Sequence, residues 1–161
     1  MIRQQIRLLV AVVLASIAGC LGAADQWETL QAIHLIENPR NSSEPGAHGE
    51  LGAYQFRQTT WRMHTGKPFR SALIRAHADA VAVAHYDWLC RQLRRNGISP
   101  TTYNIAMAWN AGIGAVSSGR VPLASRQYAQ RVVNIARELE RATIAASIPQ
   151  RAPMERIVLT P

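Results

Sequence analysis

The chain has 161 residues, 48% hydrophobic and 17% charged, with a formal net charge of +8 at pH 7 and a pI near 10.7. That length holds one domain rather than two, with enough apolar content for a packed core. Cys20 and Cys90 are the only cysteines, which excludes a disulfide framework, and no Cys-x-x-Cys pair, P-loop or dinucleotide-binding glycine pattern is present.

Residues 1–24 read as a secretory signal peptide. Arg3 and Arg7 form a positive start, and the apolar run behind them is shorter than the roughly 20 residues that span a bilayer. Two exits compete. Ile17-Ala18-Gly19-Cys20 has the form of a lipobox, in which Cys20 would take a lipid anchor. Gly22-Ala23-Ala24 offers small residues for ordinary cleavage before Asp25. Either way the expectation is an exported protein, periplasmic or extracellular. Its basic charge suits an acidic partner such as cell-wall polymer or anionic lipid, or serves solubility alone. Nucleic acid is not expected, because no basic-aromatic platform is present. A monomer is the expected state.

Residues 25–146 read as one mostly helical domain, and 147–161 as a mobile proline-containing tail. Asp25, with Glu28 three residues later, can cap a first helix. Leu30, Ile33, His34 and Glu37 then share one face, and Pro39 stops the helix near Asn38. Residues 38–52 are rich in Pro, Ser, Gly and Asn and predict a long loop or small irregular β region. A short helix is expected from Phe56 to Thr65, ended by Gly66, and a long one from Ser71 to Asn96, ended by Gly97. The stripe Val81, His85, Trp88, Leu89 marks the long helix as packed, with Cys90 a buried apolar residue. Ser99 is the expected cap of the next helix, with Pro100 at its first position, and that helix ends at Gly112. Tyr128, Val132, Ile135 and Leu139 form the stripe of the last helix. The fold class expected is mostly α.

Glu37 carries the chemical interest. It closes an apolar face, where burial disfavours its charge, and it sits at a helix C-terminus, whose partial negative charge does the same. Both effects favour a protonated carboxyl, the form that glycosidic cleavage needs as general acid. The bland alternative is a carboxylate that only accepts backbone amides from the loop.

Glu37 is followed by Gly49-x-x-Gly52-x-x-Gln55, at offsets of 12, 15 and 18 residues. Ala106-Met107-Ala108-Trp109-Asn110-Ala111-Gly112 comes later, and Tyr128-Ala129-Gln130-Arg131-Val132 near the end. These three stretches, in this order, resemble the soluble lytic transglycosylase branch of the lysozyme-like superfamily, over roughly Trp27 to Leu139. The resemblance implies a lysozyme-like α+β domain with a catalytic cleft, and peptidoglycan as substrate. The bond cleaved would join N-acetylmuramic acid to N-acetylglucosamine, with no cofactor and no metal. Glu37 would be the acid and then the base. Gly49, Gly52 and Gln55 would shape the cleft wall, and Tyr54, at a position where the family has Met, would line it. Trp109 stands where the family has Tyr and could stack on a sugar ring. Asn110 would hydrogen-bond a sugar or its N-acetyl group, and Tyr128 would face Glu37.

This chain departs from the family in Asn38-Pro39 for Ser-Gly, in Gly46 for Ser, and in Glu50 for Ala. Glu50 lies two residues before Gly52, where animal-type lysozymes carry their second carboxylate. A transglycosylase needs Glu37 alone, whereas a hydrolase would add Glu50 as nucleophile or base. Three readings therefore stay open: a lytic transglycosylase, a muramidase using Glu37 and Glu50, and a non-catalytic wall-binding protein on the same scaffold. Glu44 and the cluster Arg91, Arg94, Arg95 read as solvated charge. The five histidines show no metal-ligand spacing, and His34 reads as a packed residue one turn before Glu37.

Overall fold

The computed structural model describes residues 26–147. The signal peptide, the lipobox, the Asp25 cap and the tail beyond Ser147 lie outside the described residues. Within them the protein is mostly helical. Helix α1 covers 26–37. It is followed by α2 (Gln58–His64), a 3-10 turn (Phe69–Leu73), α3 (Arg75–Arg95), α4 (Thr102–Ala111), α5 (Ile113–Ser117) and α6 (Leu123–Ser147). Between α1 and α2 the only β pairing among the described residues is a single antiparallel bridge, Leu51 to Phe56.

Helix α4 lies at the centre and touches α3, α5 and, most extensively, α6. Its buried residues Ile105, Ala106 and Ala108 meet a helix whose own buried face carries Ala129, Val132 and Ala136. Small side chains on both sides let the two axes approach closely. Around this pair the core is completed by Ile33 of α1, Tyr54, Trp61, and Leu89 and Leu93 of α3, all under 2% exposed. Burying each of the two leucines contributes about 2 kcal/mol. Cys90 is buried, as its apolar setting predicts.

Local boundaries differ from the sequence expectation where a backbone bond or a cap decides. Helix α2 starts two residues late because Phe56 is held in the bridge, its N–H on the Leu51 carbonyl at 3.0 Å. The long helix is interrupted at Ile74, which is extended (φ −89°, ψ 113°) and separates the 3-10 turn from α3. The cap of α4 is Thr101, not Ser99: its side chain accepts the Asn104 amide at 3.2 Å, and Pro100 stays outside the helix. Gly112, at φ +83°, ends α4, but the chain re-enters a helix at once as the unanticipated α5. Helix α6 runs through Ser147, one residue into the expected tail.

The segment from Asn38 to Gly52 is tied rather than loose. Asn38 is 7% exposed. Its Nδ2 donates to the carbonyls of Ser42 (2.9 Å) and Gly52 (3.2 Å), and its Oδ1 accepts the Ser42 amide (2.8 Å). One side chain thus joins the start of the loop to its far end. Gly52 has φ +79° and packs its α-carbon against the 3-10 turn, so that a Cβ there would run into the Ala72 carbonyl oxygen. Gly52→Ala is expected to destabilise the fold by about 2–4 kcal/mol, from backbone strain plus overpacking, measured by urea denaturation.

Candidate active site

A cavity of about 490 Å³ opens where the end of α1, the 46–57 loop, α2, α3 and the end of α4 meet. That volume suits a small ligand or a short stretch of a polymer. Glu37, Gly46, Glu50, Gln55, Trp109 and Asn110 all line it.

Glu37 is the last residue of α1, one turn beyond the buried Ile33 and His34. The periodicity that buries those two carries the carboxyl to the rim of the core. Its Oε1 accepts the Tyr128 hydroxyl at 2.7 Å, a bond that joins the first helix to the last across 91 positions. Desolvation by burial raises its pKa above the ordinary carboxylate range, and the nearby charge of Glu50 adds to the rise. The Tyr128 bond and the Arg131 guanidinium act the other way. Tyr128 is buried, and burial together with the Glu37 charge keeps its phenol well above its usual value, so it remains a donor.

Glu50 is handled differently. Burial alone would raise its pKa, but the His48 amide, its own amide and Arg57 outweigh that and hold it below the usual range. Its Oε2 accepts the His48 N–H at 2.8 Å, and its Oε1 meets Arg57 Nε at 3.3 Å. The Glu50 carbonyl also accepts the Gly46 N–H at 2.9 Å. A Cβ at Gly46 would come within 2.6 Å of Gln55 Oε1 and 2.7 Å of Glu50 Oε2. Glycine at 46 and glutamate at 50 are therefore coupled: the acid, together with Gln55, occupies the room that a side chain at 46 would need. One cavity consequently holds two carboxyl groups of opposite tendency, one favouring the proton and one favouring the charge.

The other expected residues divide. Gln55 takes a left-handed conformation (φ +45°) with its Nε2 on the Gly52 carbonyl at 3.0 Å, and it lines the cavity. Asn110 is exposed at the cavity mouth. Trp109 lines the cavity, but three rings crowd it: His85 at 4.9 Å, Phe56 at 5.7 Å and Tyr54 at 6.1 Å between centroids. Only part of its indole reaches the open space, which is a poor platform for full sugar stacking. Tyr54 does not line the cavity. It is 1% exposed, and its hydroxyl donates to Asp79 Oδ1 at 2.7 Å, because the tight turn of the bridge swings its ring inward against His34. Gly49 and Gly52 shape the loop from behind: Gly49 is an exposed turn residue at φ +79°, and Gly52 is buried against Ala72. His34 is packed, as expected, between Asn41 (3.1 Å) and Arg75.

The sequence reading missed two residues. Asn38 was seen only as a departure, although an Asn after a helix and before proline signals a side-chain-stabilised turn. His85 was read as core. It is buried, yet it also lines the cavity. Among the described residues no group of three or more His, Cys, Asp or Glu could hold a metal ion.

No family model, no curated protein and no solved structure matches this chain. The site therefore has to be read from its own geometry.

The electrostatics are testable directly. Tyr128→Phe removes a bond that favours the carboxylate, so the Glu37 pKa should rise further. Glu50→Gln removes a neighbouring negative charge, so it should fall. Carboxyl NMR titration reads both. Because the folded-state pKa of Glu37 lies above its unfolded value, Glu37 supports stability fully at pH below the unfolded pKa and loses that support as pH rises through the folded one. Glu37→Gln should therefore unfold at a higher temperature than the wild type at pH 7, by a margin that closes on acidification.

Proposed function

We propose that the protein is an exported enzyme of lysozyme-like fold that cleaves the glycan strand of peptidoglycan between N-acetylmuramic acid and N-acetylglucosamine, as a lytic transglycosylase. The observation that carries this reading is Glu37, a carboxyl made more basic by burial, set in the wall of a cavity of suitable size and held by Tyr128. The sequence resemblance to that family supports it, as do the export signal read at residues 1–24 and the basic charge, which suits an acidic wall polymer.

In the proposed reaction Glu37 gives its proton to the glycosidic oxygen as the bond from muramic acid C1 to that oxygen breaks. The Glu37 carboxylate then takes the proton of the muramic acid 6-hydroxyl while O6 bonds to C1. The product is a 1,6-anhydro ring, and no water is consumed. The two halves need both protonation states of one group. Burial supports the acid form, while Tyr128 and Arg131 support the carboxylate between steps. Gln55 and Asn110, both in the cavity lining, would hold the strand.

A muramidase is the second reading, favoured by one observation: Glu50 shares the cavity and is held ionised. The transglycosylase comes first because both Glu50 oxygens are already engaged, by His48 and by Arg57.

Mass spectrometry of products from purified peptidoglycan separates the readings. Anhydro-muropeptides are expected, reduced by about 10²–10⁴-fold in Glu37→Gln, the range for loss of a general acid–base group. Glu50→Gln should stay within about tenfold of the wild type if that charge only tunes Glu37. Reducing-end products lost in both variants would identify a hydrolase. A folded wild type that binds the wall and releases nothing would identify a binding protein.

A further inference from the structure

His85 plays no part in the reaction above, yet it lines the same cavity while being only 8% exposed. It comes from α3, and its Nδ1 lies 3.0 Å from Nε2 of His64 on α2. Its ring stacks on Trp88 (5.6 Å, 12°) and meets Trp109 edge-on. The ring is therefore fixed on three sides by two indoles and a hydrogen bond.

Two nitrogens 3.0 Å apart share one proton when both rings are neutral, and both are kept neutral here. Burial, with His64 beside it, holds His85 at about 3. Burial and the Arg91 charge hold His64 below its usual value. The hydrogen bond then sets the tautomers. If His64 Nε2–H donates to His85 Nδ1, both rings carry their proton on Nε2. The one side-chain nitrogen that this bond leaves on His85, a residue of the cavity lining, is then an N–H donor. Beside it in the lining stands the Trp109 ring, 4.9 Å away between centroids, and Phe56 adds a second aromatic residue to a lining that is otherwise largely polar. A donor beside an aromatic ring suits a small group that joins an acceptor oxygen to a methyl.

We propose that His85 is a substrate-binding residue that donates its Nε2 proton to the acetamido carbonyl of an N-acetylated sugar, and that His64 is the positioning residue that fixes its tautomer. The acetamido methyl packs on the neighbouring rings. This assignment rests on the glycan-cleaving reading of the cavity and gives it a specificity: a de-N-acetylated strand loses both the carbonyl and the methyl.

Long-range ¹H–¹⁵N NMR of the histidine rings tests it, with tri-N-acetylchitotriose and the glucosamine trimer as probes and the Trp109 indole as an independent reporter. The expected result is an Nε2–H tautomer at His85 whose Nε2 signal shifts with the acetylated trimer and not with the amine. His64→Phe should weaken that binding by about five- to tenfold, the size of one neutral hydrogen bond. His64→Gln should restore it, since its amide can donate to Nδ1. A Trp109 shift with His85 unmoved would overturn the proposal and leave the glycan reading intact. Equal shifts with both trimers would overturn the acetamido assignment. His64→Gln binding as poorly as His64→Phe would overturn the positioning role. No shift anywhere would remove the glycan reading itself, and this proposal with it.

Discussion

The hydrogen bond from Tyr128 to Glu37 joins the first helix to the last, and the placing of the acid depends on it. Helix α1 carries the acid and α6 carries the phenol. Between them α4 acts as the spacer, packed on α6 through small residues. A shift of α6 along α4 would pull the hydroxyl off the carboxyl. The fold therefore positions the acid through helix packing, which is stiff, rather than through a loop. The loop meets a separate requirement: Asn38 and Gly52 close it on itself, so that Glu50 and Gln55 are presented from a segment with almost no regular structure.

The electrostatics follow from that arrangement. Two carboxyl groups in one cavity would both tend to hold protons if they were equally buried and unpaired. Here the loop engages one of them with an amide and a guanidinium and leaves the other with a neutral phenol. The paired group keeps its charge, and that charge works on its neighbour. Division of labour between acid and anion thus arises from hydrogen-bond supply, while the residue type is the same at both positions.

Some of this was legible in the sequence, and the reasons are physical. The face formed by Leu30, Ile33, His34 and Glu37 could be read because helical periodicity is local, and that face alone implied a partly buried acid. The Tyr128 contact came through resemblance, since no spacing rule links residues 91 apart. Tyr54 was misplaced because the four-residue turn within the Leu51–Phe56 bridge sets its direction, and left-handed Gly52 and Gln55 make that turn unlike an alternating strand. Ser99 ranks somewhat above Thr101 as a cap by type, and only geometry chose Thr101. His64 and His85 lie on different helices, so their pairing is tertiary and leaves no mark in the order of residues.

The coupling of Gly46 and Glu50 bears most on the proposed mechanism. Glu50 is anchored through Oε1, Oε2 and its own carbonyl, which together brace the turn from Gly46 to Glu50. A nucleophilic carboxylate has to move onto the sugar and back, and here that motion would release Arg57 and the His48 amide. A carboxylate that only supplies field needs no motion at all, and its effect on Glu37 depends on staying ionised, which those same bonds secure. On this geometry Glu50 is better suited to bracing the loop and tuning Glu37 than to attacking C1. A single mobile proton, held by Glu37, would then be enough for both halves of the proposed reaction.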